Sequence, residues 1–271
     1  MPTIRDNAVC IRRWDYSETS QTASLFTREH GIIRGLAKGA KRGRGKFSGG
    51  LDPLTRGQVV AVIKPNRDLA TLTEWHLEEV FWAVRRSLAA NRAGLFMADL
   101  IHHMLTGHDP HPGLFDQFTA SLAGLNEVGG IEPAVLRFQW ALLRETGYQP
   151  QLERDSETGE ALPPEATTLA FSARAGGLAA DTGAADRWRV RAETVGVLRS
   201  LAAGDTDWRA TPVVVGRANR LLAAYCRELI GTEPAAMRWA FPDPVRPAER
   251  TNGIDSAGAE SAQRGPVEQG R

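Results

Sequence analysis

The 271-residue chain is short of the residues that staple folds and hold metals: it has two cysteines, Cys10 and Cys226, far apart and in no CxxC pair. Neither a disulfide framework nor a tetrathiolate zinc site can be built from them, which suits a reduced cytoplasm. Long apolar runs are missing too. None approaches the roughly 18 residues that cross a bilayer, and the opening Met1-Pro2-Thr3-Ile4-Arg5-Asp6 has no signal-peptide core, so a soluble, cytoplasmic protein with no membrane partner is expected. No GxxxxGK[ST], GxSxG or HExxH occurs, and no GxGxxG follows a strand, so the usual signatures of phosphate cradles, nucleophile elbows and zinc hydrolases are lacking and an enzyme is not expected. An excess of one charge is also absent. With 33 Lys and Arg against 32 Asp and Glu, the net charge of +1 says nothing about an anionic partner; placement decides that.

What is present divides by period. Residues 8–14, 22–27, 32–37, 58–64 and 69–76 are short runs rich in Val, Ile, Leu, Thr and Phe between turn-forming or charged residues, and read as five strands. Five strands suggest a small barrel, either the OB-fold used for oligonucleotides or an SH3-like barrel, which spacing cannot separate. From Leu77 the period becomes helical. Val80, Phe81, Val84 and Leu88 form one stripe, and Leu95, Phe96, Leu100 and Met104 the next. A third, Leu114 to Leu125, stops at Gly129-Gly130, and a fourth, opened by Pro133, carries Leu136, Trp140 and Leu143 inward. Residues 149–186 lose the period and read as a loop-rich insertion or small ribbon. Helix returns over 188–201 and 216–230, the latter ended by Gly231. Two domains are expected, 1–79 and 80–241. Residues 242–271, polar and without an aromatic, are expected to be a disordered tail.

The concentrated charge lies in Arg34, Lys38, Lys41, Arg42, Arg44 and Lys46, six cations in thirteen residues with no acid and four interleaved glycines. Such a segment can approach a phosphodiester backbone closely, and releasing the condensed counterions supplies binding free energy. Arg12 and Arg13 could extend it. Trp14, Tyr16, Phe47 and Trp75 are candidate stacking platforms for bases, although a barrel aromatic taken alone reads first as core. His102, His103, His108 and His111 surround a turn, but adjacent histidines leave a helix on different faces and no carboxylate matches both, so surface histidines are expected rather than a metal site. Asp6, Asp15, Glu18 and Glu29 do not share a strand face as nuclease ligands would.

The runs Arg13-Trp14-Asp15-Tyr16-Ser17-Glu18-Thr19-Ser20, Leu25-Phe26-Thr27-Arg28-Glu29-His30-Gly31 and Leu36-Ala37-Lys38-Gly39-Ala40-Lys41-Arg42, in that order and spacing, resemble the N-terminal signature of the RecO family. Gly49 to Leu54 and Leu69 to Glu74 resemble that family's barrel, and the likeness extends over roughly residues 4 to 241. It implies an α+β fold: an N-terminal five-stranded OB-fold barrel followed by an α-helical domain with a loop-rich insertion. It further implies a non-catalytic, nucleoid-associated recombination mediator in DNA repair. Such a protein binds single- and double-stranded DNA, anneals strands, and partners RecR, the C-terminal tail of the single-stranded-DNA-binding protein and, indirectly, the recombinase RecA. The family's basic barrel residues correspond to Lys38, Lys41 and Arg42; Arg34, Arg44 and Lys46 rest on charge alone. Many members carry a four-cysteine zinc site in the insertion. Here Asp155 and Thr158 stand near one pair and Ala180 and Gly183 near the other, so no metal or other cofactor is expected. The alternative is an OB-fold adaptor for RNA, which a 2′-hydroxyl preference would reveal.

Overall fold

Five strands form the N-terminal part: β1 (Thr3–Asp15), β2 (Gln21–Thr27), β3 (Gly31–Ala37), β4 (Thr55–Val62) and β5 (Ala70–Val80). In this computed structural model, which describes residues 2–42, 45–47, 50–64, 68–127, 129–184, 186–205 and 210–241, they close in the order β1-β2-β3-β5-β4. All neighbours are antiparallel except β3 and β5. That order is the OB-fold's, and it decides between the two barrels that spacing left open. Arg44 and the expected tail lie outside the described residues.

Alternation along the strands sorts the barrel's side chains. Cys10, Leu25 and Ile33 pair across β1, β2 and β3 and point inward, where Val59, Leu72 and Trp75 join them. Phe47 and Leu51, from the β3–β4 connection, complete this interior. Outward, three cross-strand rows follow: Val9–Phe26–Ile32, Arg12–Ser24–Arg34 and Trp14–Thr22–Leu36. A bulge between Cys10 and Arg12 shifts the register of β1 between the first and second rows.

The first row is roofed by helices α1 (Trp82–Arg86), α2 (Leu88–Met104), α3 (Pro112–Gly124) and α4 (Ile131–Glu145). Phe26 meets Phe115 and Phe118 at 5.7 and 6.3 Å between ring centroids, and Val9, Ile11, Phe26 and Ile32 share one core with the helical residues. The stripe read from Val80 to Leu88 is not one helix. Val80 ends β5, Phe81 caps α1, and the backbone breaks at Ser87, whose hydroxyl accepts from Ala90 N to start α2 and leaves Leu88 65 % exposed. Leu95 also faces out, whereas Phe96 and Leu100 are buried as expected.

The insertion is a small sheet of β6 (Thr168–Ser172), β7 (Gly177–Ala179) and β8 (Trp188–Arg191) in the order β7-β6-β8. Residues 188–191, expected to open a helix, are its edge strand: Trp188 pairs with Phe171 and stacks on its ring 5.8 Å away, and Val190 pairs with Leu169. Helix α5 (Ala192–Ala202) starts only after them. Helix α6 (Pro212–Ile230) ends at Gly231, whose φ of 75° places it in the left-handed region. A short α7 (Met237–Ala240) lies against α2.

At the four positions that the resemblance puts near zinc-binding pairs, the donor set does not fit a zinc ion. The buried Asp155 is the only carboxylate among them, and backbone amides take up its oxygens: Glu157 N and Thr158 N donate to Oδ1 at 2.8 and 3.1 Å, and Ala180 N to Oδ2 at 2.8 Å. Arg187 spans the same join, donating to Ala180 O at 2.8 Å and pairing with Glu157. Chiefly the Ala180 amide, helped by the other two, holds the Asp155 carboxyl below its ordinary pKa.

Candidate nucleic-acid interface

The third outward row of the barrel is the part the helices leave open, together with Arg34 at the exposed end of the second, in which Ser24 is buried and Arg12 is held by α2. Trp14 is 47 % exposed, and Tyr16, in the turn beyond β1, is 64 % exposed. Phe47 and Trp75, the other two candidate platforms, are core residues. The sequence could not divide the four because it does not show which strand partners each ring.

The basic segment does not form one patch. Its first part folds onto the β1–β2 turn: Lys41 N donates to Thr19 O, Lys41 Nζ to Ser17 O at 3.1 Å, and Gly39 N to Ser20 Oγ. Gly39, with φ at +74°, makes the tight turn in which Arg42 N reaches Gly39 O. Lys38, Lys41 and Arg42 thus lie beside the turn that carries Tyr16. Lys46 goes elsewhere, its carbonyl accepting from Trp75 N and its ammonium pairing with Glu74 on β5 at 2.6 Å. Arg34 stands on the outer face of β3, in the middle row.

These cations differ in availability. Lys41 is paired with Asp15 at 2.9 Å, and the hydrogen bond it gives holds the Asp15 carboxyl below its usual pKa. Lys46 does the same to Glu74. Arg12 is tied to the buried Asp99 and Arg13 to Asp52, so neither is a free extension of the patch. Among the described residues, Arg34, Lys38 and Arg42 have no acidic partner.

Arg34 also borders a cleft of about 600 Å³ that sequence reading did not find, where Lys64 supplies a further cation, His108 an imidazole, Asp68 one acid, and Ile32 and Leu105 apolar walls. His108 has φ at +63°, a strained backbone for a residue with a side chain. Nearby His102 is pushed down to about 4, first by burial and then by Arg12, His103 and Arg34, so it is neutral at physiological pH. The four histidines do not converge: among the described residues no three His, Cys, Asp or Glu groups could hold a metal ion. Cys10 and Cys226 are buried, and burial pushes both thiols up to about 12.

A second opening, of about 380 Å³, lies between β8, α5 and α6. Trp188, Val190, Leu221 and Ala224 give it apolar walls, with Arg189, Arg191, Arg217 and Arg220 among its lining. Arg189 pairs with Asp181, and Arg191 and Arg217 share Glu193. Arg220 has no acidic partner among the described residues.

An OB-fold barrel packed into a helical part, with an aromatic, cation-bearing face left open, is the class of protein that this fold and surface define. The chain belongs to the recombination protein O family: the model "Recombination protein O N terminal" matches residues 1–81, and "Recombination protein O C terminal" matches residues 85–237. A "DNA repair protein RecO" from Anaeromyxobacter sp. (strain Fw109-5) is 31% identical over 254 residues, 90% of this chain and 97% of that protein. Proteins of the same name from Rhodopirellula baltica and Methylococcus capsulatus are 33% and 36% identical over 63% and 60% of this chain. The chain spans 63% and 65% of the length of those two relatives. No described helix is long and apolar enough to cross a membrane.

Proposed function

We propose that this protein is a recombination mediator in DNA repair that acts by binding rather than by catalysis, annealing single strands and assisting recombinase loading at the nucleoid with RecR. One observation carries the reading: the open part of the barrel face presents Trp14 and Leu36 in one row, with Arg34 in the adjacent row and Lys38 and Arg42 in the following loop. Bases stack on such rings whatever their sequence, while uncompensated cations meet the phosphates. Residues 1–79 bind single- and double-stranded DNA, and residues 80–241 bind protein partners. The apolar, arginine-lined opening beside β8 has the chemistry for the acidic, amphipathic C-terminal tail of the single-stranded-DNA-binding protein.

The test is fluorescence anisotropy with labelled single-stranded DNA over a salt series. Replacing Arg34, Lys38 and Arg42 by Glu should lower affinity across sequences, and losing three phosphate contacts should flatten the slope of log K against log salt by about 2. Unchanged binding would remove the barrel face as the site. Stronger binding to RNA than to DNA of equal length would point instead to an RNA adaptor.

A further inference from the structure

Outside the barrel, the strongest unexplained surface lies on α1, the start of α2, and α7. Residues 81–98 contain Arg85, Arg86 and Arg92 without one acid, and α7 adds Arg238 and no acid. Arg85 donates to Pro53 O. The other three lie over exposed indoles: Arg86 is 5.3 Å from the ring centre of Trp82, while Arg92 and Arg238 are 5.8 and 4.9 Å from that of Trp239. Trp82 is 59 % and Trp239 51 % exposed, and α7 has no buried residue at all, so Trp239 is not there to fill a core. Arg92, Arg238 and Trp239 form one patch on α2 and α7, and Trp82 with Arg86 makes a second cluster on α1, which packs against the same α2. These arginines lack acidic partners among the described residues, and folding alone requires neither cluster.

The patch is joined to the barrel's open face. Asp99 of α2 takes the Arg12 guanidinium on Oδ1 and the Ala236 amide on Oδ2, the latter at 3.1 Å. Arg12 belongs to the middle outward row of the barrel, and Ala236 leads into α7, three residues before Trp239. One buried carboxylate therefore ties the barrel face to the arginine–tryptophan surface.

We propose that this surface is a second stretch of a single-strand track, where bases stack on Trp82 and Trp239 and phosphates pair with Arg86, Arg92 and Arg238. The chemistry favours single-stranded nucleic acid. Indole faces accept any base, arginines without acids attract a polyanion, and a duplex would keep its bases from the rings. The inference rests on the barrel reading and predicts a footprint longer than the barrel alone would give.

The experiment compares oligo(dT) of about 8 and about 30 nucleotides, since one OB-fold covers roughly 4–16. It uses the full chain carrying W82A and W239A, and separately the milder R86Q, R92Q and R238Q, with circular dichroism checking the fold. The long oligonucleotide should bind the tryptophan variant about tenfold more weakly and the short one equally well. For the arginine variant the salt slope on the long oligonucleotide should fall by about 2, at roughly 0.7 per phosphate contact. If both lengths bind as before, or both weaken equally, the second stretch does not exist. If the variants lose only the binding of an acidic peptide, the surface belongs to a protein partner and the proposal falls. The reversal of Arg34, Lys38 and Arg42 is run alongside. Should it leave binding intact while the tryptophan variant weakens it, the barrel reading fails, and with it the claim that this surface is a second stretch, although single strands bind there.

Discussion

A cation's usefulness to a ligand depends on what already faces it. Lys46 lies in the densest charge of the sequence, yet Glu74 cancels much of its field, whereas Arg34 stands at the edge of the run and has no acid paired with it among the described residues. Glu74→Gln should therefore tighten DNA binding by about twofold, the few tenths of a kcal/mol of an exposed pair, measured by the same anisotropy titration. The charge run was legible in the sequence; its division was not, because the acids that neutralise it come from Asp15 and Glu74 on strands distant in the chain. Asp155 gives a sharper residue-scale outcome. Its folded pKa lies below the unfolded value of about 3.9, so its stabilisation is fully present above the unfolded value and is lost as pH falls through the folded one. Asp155→Asn should cost about 1–3 kcal/mol in urea unfolding at pH 7. The difference should shrink below about pH 4 as the native carboxylate takes up its proton. Chelators should leave both forms unchanged.

Elements were easiest to read where a single period governs them and hardest where two meet. The strands β1 to β5 and helices α3, α4 and α6 appear at the expected places, with ends moved by a few residues. The errors fall at Val80 to Leu88, where a strand runs on into a one-turn helix, and at Trp188 to Arg191, where an edge strand runs straight into α5. Reading the second as helix hid the arginine-lined opening, since Arg189 and Arg191 reach it from a strand beside α6. Arg217 and Arg220, read from spacing alone, looked like the solvated side of a helix. Charge reversal at Arg217 and Arg220 should weaken an acidic tail peptide by tenfold or more, since truncating charged contacts beside a buried apolar anchor costs about 2 kcal/mol or more. Calorimetric titration reads this, and DNA affinity at the barrel should be preserved.

At the scale of the molecule, barrel and helices are bound by a shared interior rather than by a linker. Phe26 belongs to the barrel by sequence and to the helical core by contact, so Phe26→Ala should lower stability by about 3–5 kcal/mol. It should do so in one transition, with circular dichroism and tryptophan fluorescence changing together. A strand that docks helices with one end and meets solvent with the other needs a change of phase, and the bulge in β1 provides it. Before the bulge the odd positions, Val9 and Ile11, look out toward the helices; after it the even ones, Arg12 and Trp14, look out toward solvent. Were the same residues to run through this point as a regular ladder, Trp14 would turn into the barrel and the open face would lose its aromatic ring without any substitution in it; the one extra residue of the bulge keeps Trp14 opposite Thr22 and in solvent.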